Sequence, residues 1–199
     1  MRPWSWLLGL DFGIVDQNGL SVVGWRAGDP CVYVAEAFRL TAIPSEMGRE
    51  VLRLDETYKF ERIVGDVGGQ GKAFVAEMAA RFTIPIEPAE KHNKIGYVSL
   101  FNGDLRRGRI KVVRAKCAHL LDEWRDLPWA EGRNKEADGF ANHCADATLY
   151  AWRAACAYHE REPDPVPTGD AALRAEEAAL VQHLEAEVAR EASEQWWEQ

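Results

Sequence analysis

Short apolar runs separated by turn residues open the chain and predict β-strands. Three such runs cover residues 6–13, 20–26 and 31–39. Asn18-Gly19 lies between the first two, and this dipeptide is the strongest short signal for a hairpin turn. We therefore predict that the chain begins with three antiparallel strands arranged as a meander.

Helical periodicity follows the meander and then alternates with short strands. From Pro44 to about Phe60, apolar residues recur at helical spacing. Apolar segments at 62–67 and 84–88 predict two more strands, the second at a sheet edge because it contains prolines. Further helices are predicted over 72–82, 93–107, 114–126 and from 142 to about 158, with an extended segment at 108–112 and a loop at 129–140. Strands separated by helices pair in parallel through crossovers, so the fold class is α/β with a mixed sheet.

The end of the chain differs in composition from the rest. A proline-rich linker is predicted at residues 160–169, and an acidic amphipathic helical tail at 170–199. Residues 160–199 contain 11 acidic and 3 basic residues, which accounts for the whole net charge of −8. Residues 1–159 contain 21 of each, and we interpret them as one electrically neutral domain.

One segment of the neutral domain is strongly basic. Residues 91–116 carry eight lysines and arginines against a single acid, Asp104. A local surplus of positive charge predicts a surface that binds phosphate. On charge alone, an ordinary solvated helix face is an equally good interpretation.

Three aspartates occupy positions that suit a metal centre. Asp11 ends one apolar run, Asp66 ends a second, and Asp146 lies within the last predicted helix of the domain. A carboxylate at the end of a buried strand is costly unless its charge is compensated. Carboxylates that converge repel one another, and a divalent cation is the usual remedy. The alternative is that the first two cap turns and that Asp146 caps its helix or pairs with Arg153.

Two other features exclude broad classes of protein. The four cysteines show no CxxC spacing, so we expect buried thiols in a reducing cytosol, not a zinc site or a disulfide framework. No apolar run approaches the length of a membrane span, and the first residues do not form a signal peptide. We therefore expect a protein without a membrane partner.

Four short motifs occur in an order that resembles a known family. They are Gly9-Leu10-Asp11-Phe12-Gly13, Asp66-Val67-Gly68-Gly69-Gln70-Gly71, the lysine-bearing stretch from Lys91 to Arg109-Ile110, and His143-Cys144-Ala145-Asp146-Ala147-Thr148-Leu149-Tyr150-Ala151. Together they resemble the nuclease domain of the phage terminase large subunit. The resemblance covers residues 7–153. It implies a ribonuclease H-like fold over residues 1–159, in which a mixed sheet is flanked by helices.

The resemblance implies an endonuclease that cleaves double-stranded viral DNA during genome packaging. Two divalent ions, Mg²⁺ or Mn²⁺, would act as cofactors. Asp11 would bridge both ions, and Asp66 and Asp146 would each complete the ligands of one.

The late helix departs from the family pattern at one position. Many members carry paired acids there, whereas Ala145 precedes Asp146 in this chain. Asp138 and His143 are nearby polar residues that we regard as supplementary candidates for the site. A solvent-facing position at the start of the helix is an equally good interpretation of His143.

The resemblance also assigns the basic segment to DNA. The candidates for contact with phosphate are Lys91, Lys94, Arg106, Arg107 and Arg109. Such contacts hold a duplex without reading its sequence. The expected partners are an ATPase motor domain, absent from this chain, a portal and a small terminase subunit, in the cytoplasm of an infected bacterial host.

Two other kinds of function remain open from the sequence, and a third is excluded by length. Holliday-junction resolvases and ribonucleases H share the fold and the acidic geometry. A pseudo-nuclease that only binds DNA or a partner is the non-enzymatic alternative, although it would not require buried acids. A sugar-kinase or actin-like half domain also begins with GxDxG, but that architecture needs a second copy of the fold, which 199 residues do not hold.

Overall fold

The computed structural model of the chain describes residues 4–13, 17–69, 71–131, 135–137 and 139–156. The predicted linker at 160–169 and tail at 170–199 lie outside the described residues, as does Asp138. None of the helices in the described part combines the length and apolar character needed to cross a bilayer.

Six strands form one mixed sheet, as the sequence predicts. They are β1 (Ser5–Asp11), β2 (Asn18–Trp25), β3 (Val32–Leu40), β4 (Arg62–Gly65), β5 (Glu87–Pro88) and β6 (Ile110–Val112). Strands β1, β2 and β3 form the antiparallel meander, and the other pairings are parallel. The order across the sheet is β5-β4-β1-β2-β3-β6, so the proline-containing β5 lies at an edge as expected.

Asn18 and Gly19 do not form the predicted turn. Both belong to β2, where Gly19 pairs with Asp11 and Asn18 pairs with Leu40. The side chain of Asn18 is buried, and its Nδ2 donates to the carbonyl oxygens of Leu40 and Ala42 at 3.1 and 3.2 Å. Strands β1 and β2 do pair as a hairpin, but the chain reverses direction before Asn18. Asn18 and Gly19 contribute to packing and not to the turn.

In the described part of the chain, five α-helices cover the sheet. They are α1 (Pro44–Tyr58), α2 (Gly71–Phe82), α3 (Lys94–Arg106), α4 (Ala118–Asp126) and α5 (His143–Cys156), with a 3₁₀ turn at Arg114–Lys116. The single helix predicted over 114–126 is therefore wrong. Cys117 separates its two parts with a φ of −128°, and its buried thiol lies 3.6 Å from the carbonyl oxygen of Val34. Burying this thiol against β3 interrupts the helix.

The two faces of the sheet carry separate cores. Side chains alternate along β1, so Leu7 packs against the core formed with α3, α4 and α5, whereas Leu8 and Leu10 pack against the core formed with α1 and α2. The apolar run in β1 is thus buried on both sides, as is usual for the central strand of such a sheet.

Two glycines allow α5 to lie directly on the sheet. A Cβ atom at Gly9 of β1 would stand 1.9 Å from the carbonyl oxygen of Ala147, and one at Gly19 of β2 would stand 2.2 Å from that of His143. Only residues without a side chain permit this approach. As a consequence, the first turns of α5 reach the carboxyl end of β1.

Candidate active site

Asp11 and Asp66 lie side by side where the carboxyl ends of β1 and β4 form one edge of the sheet, which is different from the lateral edge formed by β5. Asp11 is the last residue of β1, and Asp66 directly follows β4, the parallel neighbour of β1. Carboxyl ends of parallel neighbours point the same way, which places both side chains at the same edge. The backbone N–H of Asp66 continues this pairing by donating to the carbonyl of Leu10 at 3.2 Å.

Each of these two carboxylates has a specific partner. Oδ2 of Asp11, which is buried, lies 2.7 Å from Nδ1 of His143. Oδ2 of Asp66 lies 2.6 Å from the ammonium nitrogen of Lys91. Its Oδ1 accepts the backbone N–H of Gly68 at 2.9 Å, so Asp66 does cap the glycine-rich turn while facing the same edge.

Asp146 reaches the same edge from the first turn of α5. Its Oδ1 is buried and accepts no well-directed hydrogen bond, although the ammonium nitrogen of Lys94 lies 2.5 Å away. Burial is the main reason that the pKa of Asp146 is raised to about 6. The carboxylates of Asp11 and Glu136 act in the same direction, and Lys94 opposes them. Arg153 does not pair with Asp146, since its guanidinium lies 3.5 Å from the centre of the Tyr97 ring.

Glu136 is a fourth carboxylate that the sequence did not reveal. It lies in the segment predicted as a loop, where its backbone forms an antiparallel bridge with Trp129. Its Oε2 lies 2.7 Å from the nitrogen of Lys94 and accepts from Nδ2 of Asn142 at 3.0 Å. Lys94 therefore bridges two carboxylates, Glu136 and Asp146. One acid in a polar loop has no periodicity or motif that could have identified it.

The phenol of Tyr150 lies on the helix that carries Asp146 and is strongly perturbed by burial. Tyr150 is buried on α5, one turn after Asp146. Burial raises its pKa, and the charges of Asp146, Asp11, Asp66 and Glu136 each raise it further.

His143 lies inside this group and does not point into solvent. Its side chain is 18% exposed and contacts Asp11, on the same side of α5 as Asp146. The other supplementary candidate, Asp138, lies outside the described residues.

The predicted DNA-binding residues divide into two groups. Lys91 and Lys94 contact the carboxylates, as described above. Arg106 and Arg107 are exposed at the end of α3, and Arg109 is half-buried just before β6. Lys91 and Lys94 are therefore paired with acids in this structure, whereas Arg106 and Arg107 are exposed to solvent.

The carboxylate oxygens of these acids are atoms of the kind that bind divalent cations. Carboxylate oxygens are the ligands preferred by Mg²⁺ and Mn²⁺. In the described part of the chain, no three His, Cys, Asp or Glu side chains are drawn together closely enough to hold an ion as they stand. The ammonium groups of Lys91 and Lys94 lie against two of these carboxylates, those of Asp66 and Asp146, at 2.6 and 2.5 Å.

Comparison with known proteins decides the family. The family described as the terminase RNaseH-like domain matches residues 8–155, from β1 to the last turn of α5. The chain belongs to this family. It is a nuclease-type domain of the terminase large subunit, as its motifs predict, and the mixed sheet with five helices is the ribonuclease H-like fold.

Solved structures of terminase proteins share this fold. The large terminase nuclease of the thermophilic phage G20c is 21% identical with a TM-score of 0.59, over 79% of this chain and 83% of that one. The nuclease domain of phage SPP1 with bound Mn is 17% identical with a TM-score of 0.55, over 76% and 86%. The large terminase of a second thermophilic bacteriophage is 16% identical with a TM-score of 0.61. The match covers 75% of this chain but only 40% of that longer protein. No curated protein matches the chain significantly.

Proposed function

We propose that this domain is a metal-dependent endonuclease that hydrolyses double-stranded viral DNA during genome packaging. The observation that carries the proposal is that Asp11 and Asp66 end neighbouring parallel strands, while Asp146 lies on the helix that packs directly on β1. Buried acids such as Asp11 and Asp146 are unfavourable for stability, and perturbed acids of this kind cluster at functional sites.

Asp11, Asp66 and Asp146 would hold two divalent ions. The all-oxygen donor set favours Mg²⁺ or Mn²⁺. Related nuclease domains support a divalent cofactor, since the SPP1 structure contains Mn and structures of the G20c nuclease contain zinc or cobalt. Such ions supply an activated water and neutralise the charge of the leaving oxygen.

Other side chains of the domain position these acids and the DNA. His143 fixes the orientation of Asp11 through the 2.7 Å contact between Nδ1 and Oδ2. Residues that contact a metal-binding side chain commonly orient it in this way. Glu136 supplements the charge of the site beside Asp146, and Asp138 remains a candidate for the same role. Lys91 and Lys94 neutralise the carboxylates in the cation-free protein, and become available to phosphate once cations take over that task.

Exposed Arg106 and Arg107, together with half-buried Arg109, would hold the phosphate backbone. Arg106, Arg107 and Arg109 lie at the end of α3 and just before β6. Arg107→Ala should weaken duplex binding and reduce the slope of log affinity against log salt by about one. The matched control is Arg81→Ala, which changes an exposed arginine on α2. Equal salt slopes for the two variants would place the DNA elsewhere.

Cleavage of supercoiled plasmid tests the main proposal. The wild type should nick and linearise plasmid with Mg²⁺ or Mn²⁺ and be inactive in EDTA. Asp11→Asn should lose nearly all activity, because it removes a ligand charge at constant volume, whereas Asp122→Asn, an exposed acid on α4, should retain it. Activity of Asp11→Asn equal to wild type would refute the assignment.

Junction and hybrid substrates in the same assay separate the alternatives. Preferential cutting of a four-way junction would indicate a resolvase, and cutting of an RNA–DNA hybrid a ribonuclease H. Binding without any cleavage would indicate a pseudo-nuclease.

The proposed organisation places the nuclease at 1–159, a linker at 160–169 and an acidic tail at 170–199. We further propose that the domain works with an ATPase motor, a portal and a small terminase subunit in the cytoplasm of the infected host. The tail carries most of the net charge, so truncation after Tyr158 should strengthen DNA binding at low salt. Unchanged binding would assign the tail to a protein partner instead.

A further inference from the structure

A hollow of about 460 Å³ lies directly beside the carboxylates. Three large apolar side chains around it are exposed to solvent: Ile95 by 43%, Trp129 by 41% and Phe140 by 50%. Its polar wall consists of Lys94, Glu136 and Asn142, which also belong to the candidate active site. The hollow therefore adjoins Asp146, because Lys94 and Asn142 on its wall both contact that carboxylate.

This concentration of exposed apolar surface needs an explanation. Single exposed apolar residues are normal, but several around one concavity indicate a binding site. A pocket lined by apolar and aromatic groups with a few polar ones is the usual form of a ligand site.

We propose that the hollow receives a nucleobase of the strand being cut, unstacked from its neighbours and packed against Trp129 and Phe140. This inference rests on the proposed nuclease function. It extends that function by naming the form of DNA that the site prefers: a strand that is unpaired, frayed or distorted at the point of cleavage.

The position of the hollow selects a nucleobase over other occupants. A phosphodiester at the acid cluster carries a sugar and a base as its nearest covalent neighbours, so a base is the group that must lie beside the acids. Aromatic side chains stack on any base, which suits cutting without sequence preference. Lys135 on the wall of the hollow adds positive charge beside the nucleotide.

The same geometry predicts a preference among substrates. In an intact duplex both faces of a base are covered by its neighbours, so entry requires unstacking, which is least costly for unpaired or mismatched bases. A site that stacks one base should favour strands that already expose it.

Binding of short single strands in EDTA tests the inference without requiring cleavage. Two labelled oligonucleotides of equal length and charge are compared by fluorescence anisotropy, one of thymidines and one of abasic nucleotides. The wild type should prefer the base-bearing strand, and Trp129→Ala should reduce that preference by about 5- to 100-fold. Phe140→Ala should act in the same direction.

Two further variants keep the test independent of folding. Leu100→Ala changes a side chain that is 61% exposed on α3 but outside the hollow, and it should leave the preference unchanged. Trp129→Phe retains an aromatic face and should preserve most of the preference. Equal binding of the two strands by the wild type, or an equal effect of Leu100→Ala, would overturn the inference. Base-dependent binding without plasmid cleavage would instead refute only the proposed hydrolysis.

Discussion

Replacing Gly9 by alanine tests the packing that assembles the site. The new Cβ atom would stand 1.9 Å from the carbonyl oxygen of Ala147, 2.9 Å from its carbonyl carbon and 3.0 Å from Cβ of Ala151. The first two are backbone atoms of the buried helix α5, so no rotation of a side chain relieves the contact. The helix and the strand must move apart.

The distance gives the size of the effect. A carbon and a carbonyl oxygen need about 3.3 Å, so the gap must widen by about 1.4 Å. Overfilling a packed core costs about 1–3 kcal/mol and sometimes more. Because the obstacle here is backbone, we expect a loss of about 3 kcal/mol, which lowers the melting temperature of a chain of this size by about 6–12 °C. The displacement also moves Asp146 away from Asp11.

Urea and thermal unfolding of Gly9→Ala and Gly103→Ala provide the measurement. Gly103 lies in α3, and a Cβ atom there meets nothing within 4 Å. Its replacement should therefore stabilise the protein by about 0.5–1 kcal/mol, the usual gain in a helix. If Gly9→Ala is as stable as the wild type, or if both variants change stability equally, the close packing of α5 on β1 is refuted.

Three further predictions concern buried polar groups near the site. Thr148→Val should lower the unfolding free energy measured in urea by about 1–3 kcal/mol. The reason is that Thr148 Oγ1 lies 2.8 Å from the Ser21 hydroxyl, which the variant leaves without this partner. Adding Ser21→Ala should recover most of the loss. Asp146 is harder to ionise in the folded than in the unfolded protein, so the unfolding free energy of the wild type in EDTA should fall as the pH rises from 3.8 to about 6. The Asp146→Asn variant should be more stable than the wild type by about 3 kcal/mol at pH 8, but not at pH 3.5. Lys94→Met should destabilise the cation-free protein by about 1–3 kcal/mol. The variant protein should nevertheless bind Mn²⁺ about tenfold more tightly than the wild type, as measured by calorimetry. Weaker binding would contradict the role of Lys94 as a counter-ion that competes with the cation.

The strands and the order of elements could be predicted because the signals are local. Apolar runs, turn residues and helical periodicity act over a few neighbouring residues, and they placed β1 to β4 and the helices other than α4, whose start was predicted too early. The Asn18-Gly19 signal was misread because the same two residues satisfy a long-range demand, namely burial of an amide and close approach of α5. A local motif cannot show which demand it serves.

The acids on β1 and β4 could be predicted, but their partners could not. The contact between His143 and Asp11 joins residues 132 positions apart, and that between Lys94 and Glu136 joins residues 42 apart. Glu123 shows the same limit: it occupies an ordinary helical position, yet its buried carboxylate accepts the backbone N–H of Ala145 at 2.7 Å and so fixes the start of α5. Such contacts follow from the topology of the sheet and leave no pattern along the chain.

Charge compensation links the sequence argument to the structure. Buried carboxylates at the ends of strands require positive charge, and the sequence argument assigned that role to divalent cations. In the structure, Lys91 and Lys94 provide it, and both come from the segment that sequence analysis assigned to phosphate. The two assignments are compatible if the lysines exchange partners, from carboxylate to phosphate, as cations and DNA arrive together. If the proposed function holds, such a site would keep its acids neutralised until cations and DNA bind, and the lysines would thereby protect the stability of the cation-free protein.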